Sequence, residues 1–405
     1  MFKVDLKEFY DALCSCQAVS SAKDPSALIK THDGVVDVCT SDGYRNFIKR
    51  IDTVMEVGAE DVAFIVNLGR TIPILSNYIP LDGFDADLLS VDLNGNVIEV
   101  ACVIRYSEDK FDESLAGKVL NSMNNKIAVE GTTDPRHAMM CRPDYAKLLE
   151  AQEGSDVWNT SELKENISRL VIDKATKAVY MSGQRGIMFA IGSNQLNLVN
   201  IEKVANPFNV DVNTAKAICS IMSKFENEVN VNTTDGGRYV TLVNKDMKSA
   251  IWASCVMPNQ GDISKLELYT KDAPYEDYRS VICKAGLTMT VNAVASSDKA
   301  DSQLFQIVDV DTEPKIKLSN VVAGGSVSNE FETEIAAFEM KEGITEGVKG
   351  TVVVSTIKNI LSDCKGTFVR LRIEVREGYD VIRISDIDTD GNELSVYFTM
   401  LNTKQ

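Results

Sequence analysis

Any chemistry in this sequence must be built from carboxylates, lysines and thiols, because only two of its 405 residues are histidine, His32 and His137. Imidazole is the usual general base near neutral pH and the commonest zinc ligand, so both kinds of site start short of material. The nine cysteines, Cys14, Cys16, Cys39, Cys102, Cys141, Cys219, Cys255, Cys283 and Cys364, stand singly, without a Cys-x-x-Cys pair. A zinc site would need thiolates gathered from distant parts of the chain. Scattered, odd-numbered thiols fit a reduced, cytoplasmic compartment. Asp386-Ile387-Asp388-Thr389-Asp390-Gly391 resembles the opening of a calcium loop, but Tyr397 stands where the closing bidentate Glu belongs. Its flanks read as strands, so a hairpin turn is expected there instead. The chain has no Gly-x4-Gly-Lys-Ser/Thr phosphate loop, no Gly-x-Gly-x-x-Gly after a strand, no Gly-x-Ser-x-Gly and no His-Glu-x-x-His. Trp158 and Trp252 read as core or boundary aromatics, and Gly324-Gly325 as a loop. No catalytic residue, metal or cofactor is therefore expected.

Composition narrows the class. Charged residues make up 25% and apolar residues 44%, as in a soluble globular protein. No apolar run approaches the ~20 residues of a spanning helix, and Met1-Phe2-Lys3-Val4-Asp5-Leu6-Lys7 is too polar for a signal peptide. The length predicts two to three domains. A net charge of −17 argues against nucleic acid at first sight, since such footprints are basic.

An internal repeat changes that reading. Phe64 to Ile72, Phe208 to Ile218 and Val352 to Ile360 share one plan, anchored on Val66, Val212 and Val354, which lie 146 and 142 residues apart. One residue after each anchor comes Asn67, Asn213 or Ser355, all good helix N-caps. Four after comes a cation, Arg70, Lys216 or Lys358, and six after comes Ile72, Ile218 or Ile360. Ile218, Ile221, Met222 and Phe225, like Ile357, Ile360, Leu361 and Cys364, recur at helical spacing, whereas Pro73 interrupts the first copy. Period-two strands joined by glycine turns follow: 89–91 and 97–100 about Asn94-Gly95, 229–232 and 239–243 about Asp235-Gly236-Gly237, and 368–373 and 381–384 about Glu377-Gly378. Gly236 and Gly378 both lie 24 residues past their anchors.

A second helix precedes each anchor. Asp5 with Glu8 and Asn159 with Glu162 fit capping boxes. Leu6, Phe9, Tyr10 and Leu13 form the first apolar stripe, and Leu163, Ile167, Leu170 and Val171 the second. The third candidate, Leu287 to Ala295, is weak and rich in Thr. Each unit reads as helix, hairpin, helix, hairpin, which is α+β with mostly antiparallel sheets. Arg142-Pro143-Asp144-Tyr145 and Glu276-Asp277-Tyr278-Arg279 mark the junctions, predicting domains over 1–142, 143–276 and 277–405.

These features resemble the bacterial β sliding clamp, the processivity subunit of the replicative polymerase. The resemblance spans nearly the whole chain as three tandem clamp folds and is carried by pattern more than identity. Pro274-Tyr275-Glu276-Asp277-Tyr278-Arg279-Ser280-Val281 is similar to the family's Phe-Pro-Asp-Tyr-Arg linker, with the proline displaced. Ala190-Ile191-Gly192-Ser193-Asn194-Gln195-Leu196 stands where the family has Ala-Thr-Asp-Gly-His-Arg-Leu, so the Asp-Gly-His-Arg turn is replaced. Val396-Tyr397-Phe398-Thr399-Met400-Leu401 resembles the family's last strand. The stretch from Glu108 to Met140 is longer than the family needs. This degree of divergence suits a bacteriophage clamp.

The resemblance implies a non-catalytic homodimeric ring, or less readily a trimer. Its helices would line a central hole and its sheets would form the outer wall. Its implied partners are double-stranded DNA, held topologically and without sequence preference, a replicative DNA polymerase and a clamp loader, with no membrane. Such a ring needs cations on its inner helices only, and an acidic exterior keeps DNA off the wrong surface. Lys358 lies two residues before Ile360, roughly 160° around the helix from it at ~100° per residue, and Lys216 and Arg70 stand likewise to Ile218 and Ile72. These three are expected to face DNA, with Lys224 and Lys365 extending the second helices and Lys7, Lys164 and Arg169 on the first. A pocket for apolar partner peptides would involve Leu196, Tyr278, Val281, Phe398, Met400 and Leu401. Two other readings remain open: a repeat-built scaffold without DNA, marked by an evenly mixed surface charge, and an enzyme on an unfamiliar α+β fold, marked by a cleft with paired carboxylates.

Overall fold

The computed structural model describes residues 2–55, 60–150, 153–171, 174–192, 195–270, 278–297, 302–308, 315–321, 332–336, 349–376 and 379–401. The chain forms two compact units, Met1–Lys164 with Asn213–Cys255, and Glu165–Val212 with Val256–Gln405. Both are α+β, and every described strand pair is antiparallel.

In the first unit one continuous sheet runs Asp156–Asn159, Glu228–Thr234, Tyr239–Asn244, Ser249–Ser254, Arg45–Asp52, Val35–Ser41, Ser26–His32, Ala63–Asn67, Val119–Glu130, Val97–Tyr106, Leu89–Asn94, Phe2–Val4 and Val54–Met55. The pairing of Ala250 with Ile48 joins strands more than 200 residues apart in the chain. Turn chemistry sets the hairpins. Asn94 pairs with Val97 across a turn that holds Gly95 at φ 63°. Asp235, Gly236 and Gly237 all take positive φ between Thr234 and Tyr239. The stretch from Glu108 to Met140 holds the strand Val119–Glu130 and the short helix Pro135–Met140.

The second unit carries two sheets. One runs Val210–Asp211, Ala178–Ser182, Ile187–Ile191, Gln195–Asn200, Glu393–Leu401, Tyr379–Ile387, Phe368–Arg376 and Tyr278–Cys283. The other runs Glu332–Ala336, Lys315–Val321, Ser302–Val308 and Lys349–Val353. The middle segment, 143–276, thus contributes strands to the sheet of the first unit and to the larger sheet of the second.

The helices follow the apolar spacing closely. Leu6–Val19 buries Leu6, Phe9, Leu13 and Cys16, and Asp5 Oδ1 accepts the Glu8 amide at 2.7 Å as its cap. Leu68–Ser76 is capped by Asn67 Oδ1, and Pro73 stands inside it without ending it. Thr160–Leu170 buries Leu163, Ile167 and Leu170 behind the Asn159 cap. Two expected caps are displaced. Val212–Met222 begins one residue before Asn213, and Val354–Asp363 begins one before Ser355 with no side-chain cap. The weak third candidate is a full helix, Lys284–Ser297, longer than its Thr-rich sequence suggests because Leu287, Thr290 and Val291 are buried. The Glu377-Gly378 turn and Gly324-Gly325 lie outside the described residues.

One buried charge in the first unit contributes to its acid sensitivity. Asp37 takes a two-pronged ion pair from Arg50 at 2.8 and 2.9 Å and a third contact from His32 Nε2 at 2.7 Å. Burial disfavours its charge, but these three contacts overcome that and hold its pKa below the ordinary value. A depressed folded pKa gives stability that is present above the unfolded value, about 3.9, and is lost as pH falls through the folded one. Asp37→Asn is expected to lower stability at pH 7 and to flatten its dependence on pH below 4 in urea titrations. An unchanged acid limb would rule out this site as its source.

Candidate nucleic-acid interface and partner groove

The three cations at the repeat offset are all exposed: Arg70 on Leu68–Ser76, Lys216 on Val212–Met222 and Lys358 on Val354–Asp363. In each helix the opposite stripe is buried, through Leu68, Thr71, Ile72 and Leu75, through Ala215, Ala217, Ile218 and Ile221, and through Ile357, Ile360 and Leu361. Among the described residues none of the three cations has an acidic partner. No carboxylate among the described residues therefore offsets them.

The other cations divide. Lys7 and Lys164 are exposed on the first helices of their copies. Lys224 and Lys365 are exposed but lie just past the ends of their helices, and both are ion-paired, Lys224 to Asp11 and Lys365 to Glu165 at 2.9 Å. Those carboxylates offset much of what the two lysines could offer a phosphate.

Arg169 corrects the expectation from spacing. Its side chain is 6% exposed, so it does not present a cation to solvent. Nη1 donates to Asp386 Oδ2 at 3.0 Å and to Ser395 Oγ at 3.2 Å, and Nη2 donates to Glu165 Oε1 at 2.9 Å. Asp386 is fully buried and also accepts the amides of Lys365 and Gly366, at 2.9 and 2.8 Å. Ser395 donates to Tyr397 Oη, which donates to Asp363 Oδ2 at 2.7 Å. Burial raises the Asp363 carboxyl above its usual range, against the pull of the Tyr397 hydroxyl. A Cβ at residue 366 would overlap the Ile387 carbonyl and lie 2.7 Å from Asp386 Oδ1, so the chain needs glycine there. The Asp-rich segment that starts at Asp386 forms a hairpin turn: Asp388 Oδ1 accepts the amides of Asp390 and Asn392, at 2.9 and 2.8 Å. Among the described residues no group of three or more His, Cys, Asp or Glu is arranged to hold a metal, and no helix is long and apolar enough to cross a membrane.

Of the six residues expected to form the groove, Leu196, Phe398, Met400 and Leu401 lie on two adjacent strands, whereas Tyr278 and Val281 lie on a strand separated from these by Tyr379–Ile387 and Phe368–Arg376. Leu196 of Gln195–Asn200 pairs with Phe398 of Glu393–Leu401, and Met400 pairs with Val381. Leu196 and Phe398 are buried, whereas Met400 is 41% exposed. The backbone of Tyr278 and Val281 lies in the edge strand Tyr278–Cys283, paired with Phe368–Arg376, and Leu401 ends the last strand. Their side chains, with Ser193 and Asn194, lie outside the described residues.

A helix unforeseen in the sequence covers this face. Gln260–Thr270 buries Leu266 and Tyr269 in one cluster with Ala178, Tyr180, Phe189, Ile191, Leu196, Leu198, Val381, Val396 and Phe398. The Tyr269 ring lies 6.1 Å from that of Phe398, and the Arg383 guanidinium stands 5.7 Å over the Phe398 ring. Tyr180 Oη donates to Asp262 Oδ2 at 2.6 Å, and burial together with that bond pushes the phenol above its usual pKa. The helix is hard to see in sequence because only those two of its residues are buried, too few for a periodic stripe.

Comparison with solved structures shows the fold. The chain aligns over 100% of its length with 100% of the β subunit of DNA polymerase from Streptococcus pyogenes, at a TM-score of 0.68 and 11% identity. It aligns equally fully with the DNA polymerase III β subunit from Thermotoga maritima, at a TM-score of 0.70 and 14% identity. The DNA polymerase sliding clamp from Bacillus subtilis covers 100% of this chain and 99% of its own, at 0.67 and 11%. No family model matches the chain, and no curated protein matches it by sequence. The chain has the fold of bacterial sliding clamps with a widely diverged sequence.

Proposed function

We propose that this protein is a DNA sliding clamp: a non-catalytic ring of two copies, each with three tandem clamp domains near 1–142, 143–276 and 277–405, that encircles duplex DNA and tethers a replicative polymerase after a loader closes it. The observation that carries the reading is the end-to-end match to clamp structures, in which nothing of either chain is left over. The exposed cations Arg70, Lys216 and Lys358 support it, because they recur at one offset on three corresponding helices of an acidic chain. That pattern suits sequence-independent contact with phosphates, while the excess of carboxylates elsewhere discourages adhesion. With its duplex held by topology, the ring needs no tight binding, and tight binding would stop sliding.

Ring closure requires a self-complementary or head-to-tail surface. The first unit offers one around the end of the strand Val97–Tyr106. There Phe84, Tyr106 and Phe111 pack ring to ring at 5.0–5.8 Å, and Leu81, Leu88, Leu115, Val119 and Leu120 are exposed nearby in the chain. Clustered exposed aliphatics on a soluble surface mark contact sites. The strand Phe84–Ala86 pairs only on its Val97–Tyr106 side among the described residues, leaving an edge for a neighbour.

Light scattering at micromolar concentration is expected to give twice the chain mass. With loader, the protein is expected to stay on nicked circular DNA through gel filtration and to leave when the circle is cut. A stable monomer, or equal retention on cut and uncut DNA, would overturn the proposal.

A further inference from the structure

We propose that the apolar sheet face at Leu196 and Phe398 is a helix-docking groove that the chain's own Gln260–Thr270 helix fills, and that it accepts in trans a short segment of the same chemistry. That segment carries an aliphatic side chain and a tyrosine three residues apart, with a carboxylate one turn before the first. The inference rests on the partner-groove reading above and specifies what the groove takes and what must leave first.

The two halves of this contact differ in permanence. The sheet half is fixed: Gln195–Asn200 and Glu393–Leu401 are each paired on both sides, and Leu196 and Val381 are fully buried. The helix half is lightly held. It is 11 residues long, below the length at which an isolated helix is stable in water, and it carries Gly261 in its first turn. Leu266 and Tyr269 are its only buried residues, while Leu268 is exposed and Met257, just before the helix, is 82% exposed. Elements with few buried contacts occupy the low end of a protein's opening energies. What seats the helix is specific. Leu266 and Tyr269 enter the apolar cluster, and Tyr180 donates to Asp262, whose Oδ2 also accepts from Asn259 Nδ2 at 2.7 Å. Asn259 Oδ1 in turn accepts the Asp262 amide at 2.8 Å and caps the helix. A competing segment that reproduces those anchors gains the same contacts, and the helix it displaces regains its chain entropy.

The probe is the chain's own sequence, residues 259–270, as a fluorescein-labelled peptide titrated by anisotropy against the full-length protein. The variant Leu266→Ser with Tyr269→Ser vacates the groove and leaves the sheet intact. It is expected to bind the peptide at least tenfold more tightly than the unmodified protein, and adding Phe398→Ala to it is expected to remove that gain. Equal affinity for variant and unmodified protein, or none for a folded variant, would overturn the proposal. Hydrogen exchange on the unmodified protein gives a second reading that holds even where the variant fails to fold. Amides 263–270 are expected to exchange at least a hundredfold faster than those of Leu196–Val199, and equal protection would make the helix a fixed part of the core. Peptide capture by a chain that remains monomeric, or that leaves circular and cut DNA alike, would overturn the clamp reading and keep the groove. A topologically held ring with a protected helix would do the reverse.

Discussion

Asp386→Ala is expected to speed hydrogen exchange across the strand Tyr379–Ile387 by two to four orders of magnitude, the largest effect of any single substitution outside the apolar core. Asp386 is fully buried and is the hub at which the Thr160–Leu170 helix, the turn after Val354–Asp363 and the last hairpin meet. Removing it strands the Arg169 guanidinium, itself buried, and frees the amides of Lys365 and Gly366. An uncompensated buried charge costs about 3–5 kcal/mol, and each decade of equilibrium constant is about 1.4 kcal/mol. Glu165 limits the loss, because it still holds Nη2 of Arg169 from a half-exposed position. The double replacement Arg169→Met with Asp386→Leu is expected to recover much of the loss, since it removes both desolvated charges together. Lys245→Ala, which breaks the exposed pair with Glu228, is expected to leave exchange in that strand unchanged. Exchange in Asp386→Ala within tenfold of the unmodified rate would show that this network does not hold the last hairpin in place.

What the sequence reveals and what it hides divide along the range of the interaction. Asp5, Asn67 and Asn159 are legible as caps because a cap bonds an amide two or three residues away. Asn94-Gly95 and Asp235-Gly236-Gly237 are legible as turns because positive φ there excludes most side chains. The repeat of cation against apolar stripe places Arg70, Lys216 and Lys358 on exposed helix faces, since helical periodicity needs only neighbours. Arg169 shows where that reasoning stops. By spacing it belongs with the solvated lysines, but its partner Asp386 lies 217 residues on, and no local pattern announces a buried pair of that separation. Lys284–Ser297 is legible only as the weak stretch from Leu287 to Ala295, and Gln260–Thr270 is not legible at all, for a related reason. Burial of Leu287 and Val291 outweighs the poor propensity of the first, and the second offers just Leu266 and Tyr269 to its sheet. Of the groove, Leu196 and Phe398 pair across adjacent strands, whereas the helix that covers them left no periodic signal in the sequence.

Replacing Arg70, Lys216 and Lys358 together by Gln separates charge from topology, the two ways in which this protein could hold DNA. Under the clamp proposal a ring of two copies loses six phosphate contacts. Each neutralised phosphate contributes about 0.9 to the slope of log affinity against log salt on duplex DNA, so the slope is expected to fall by about five. Between 50 and 200 mM salt the unmodified protein is then expected to lose about a thousandfold in its affinity for short linear duplex, and the variant far less. Retention on nicked circular DNA after loading is expected to survive, because a closed ring on a closed circle needs no attraction. The helices themselves should persist, as all three side chains are exposed, lie opposite the buried stripes and lack acidic partners among the described residues. An unchanged salt slope would place these cations away from phosphate and leave Lys7 and Lys164, exposed on the first helices, as the alternatives. Loss of circular retention along with the charge would mean that the DNA is held by attraction, which is the behaviour of an open groove and not of a ring.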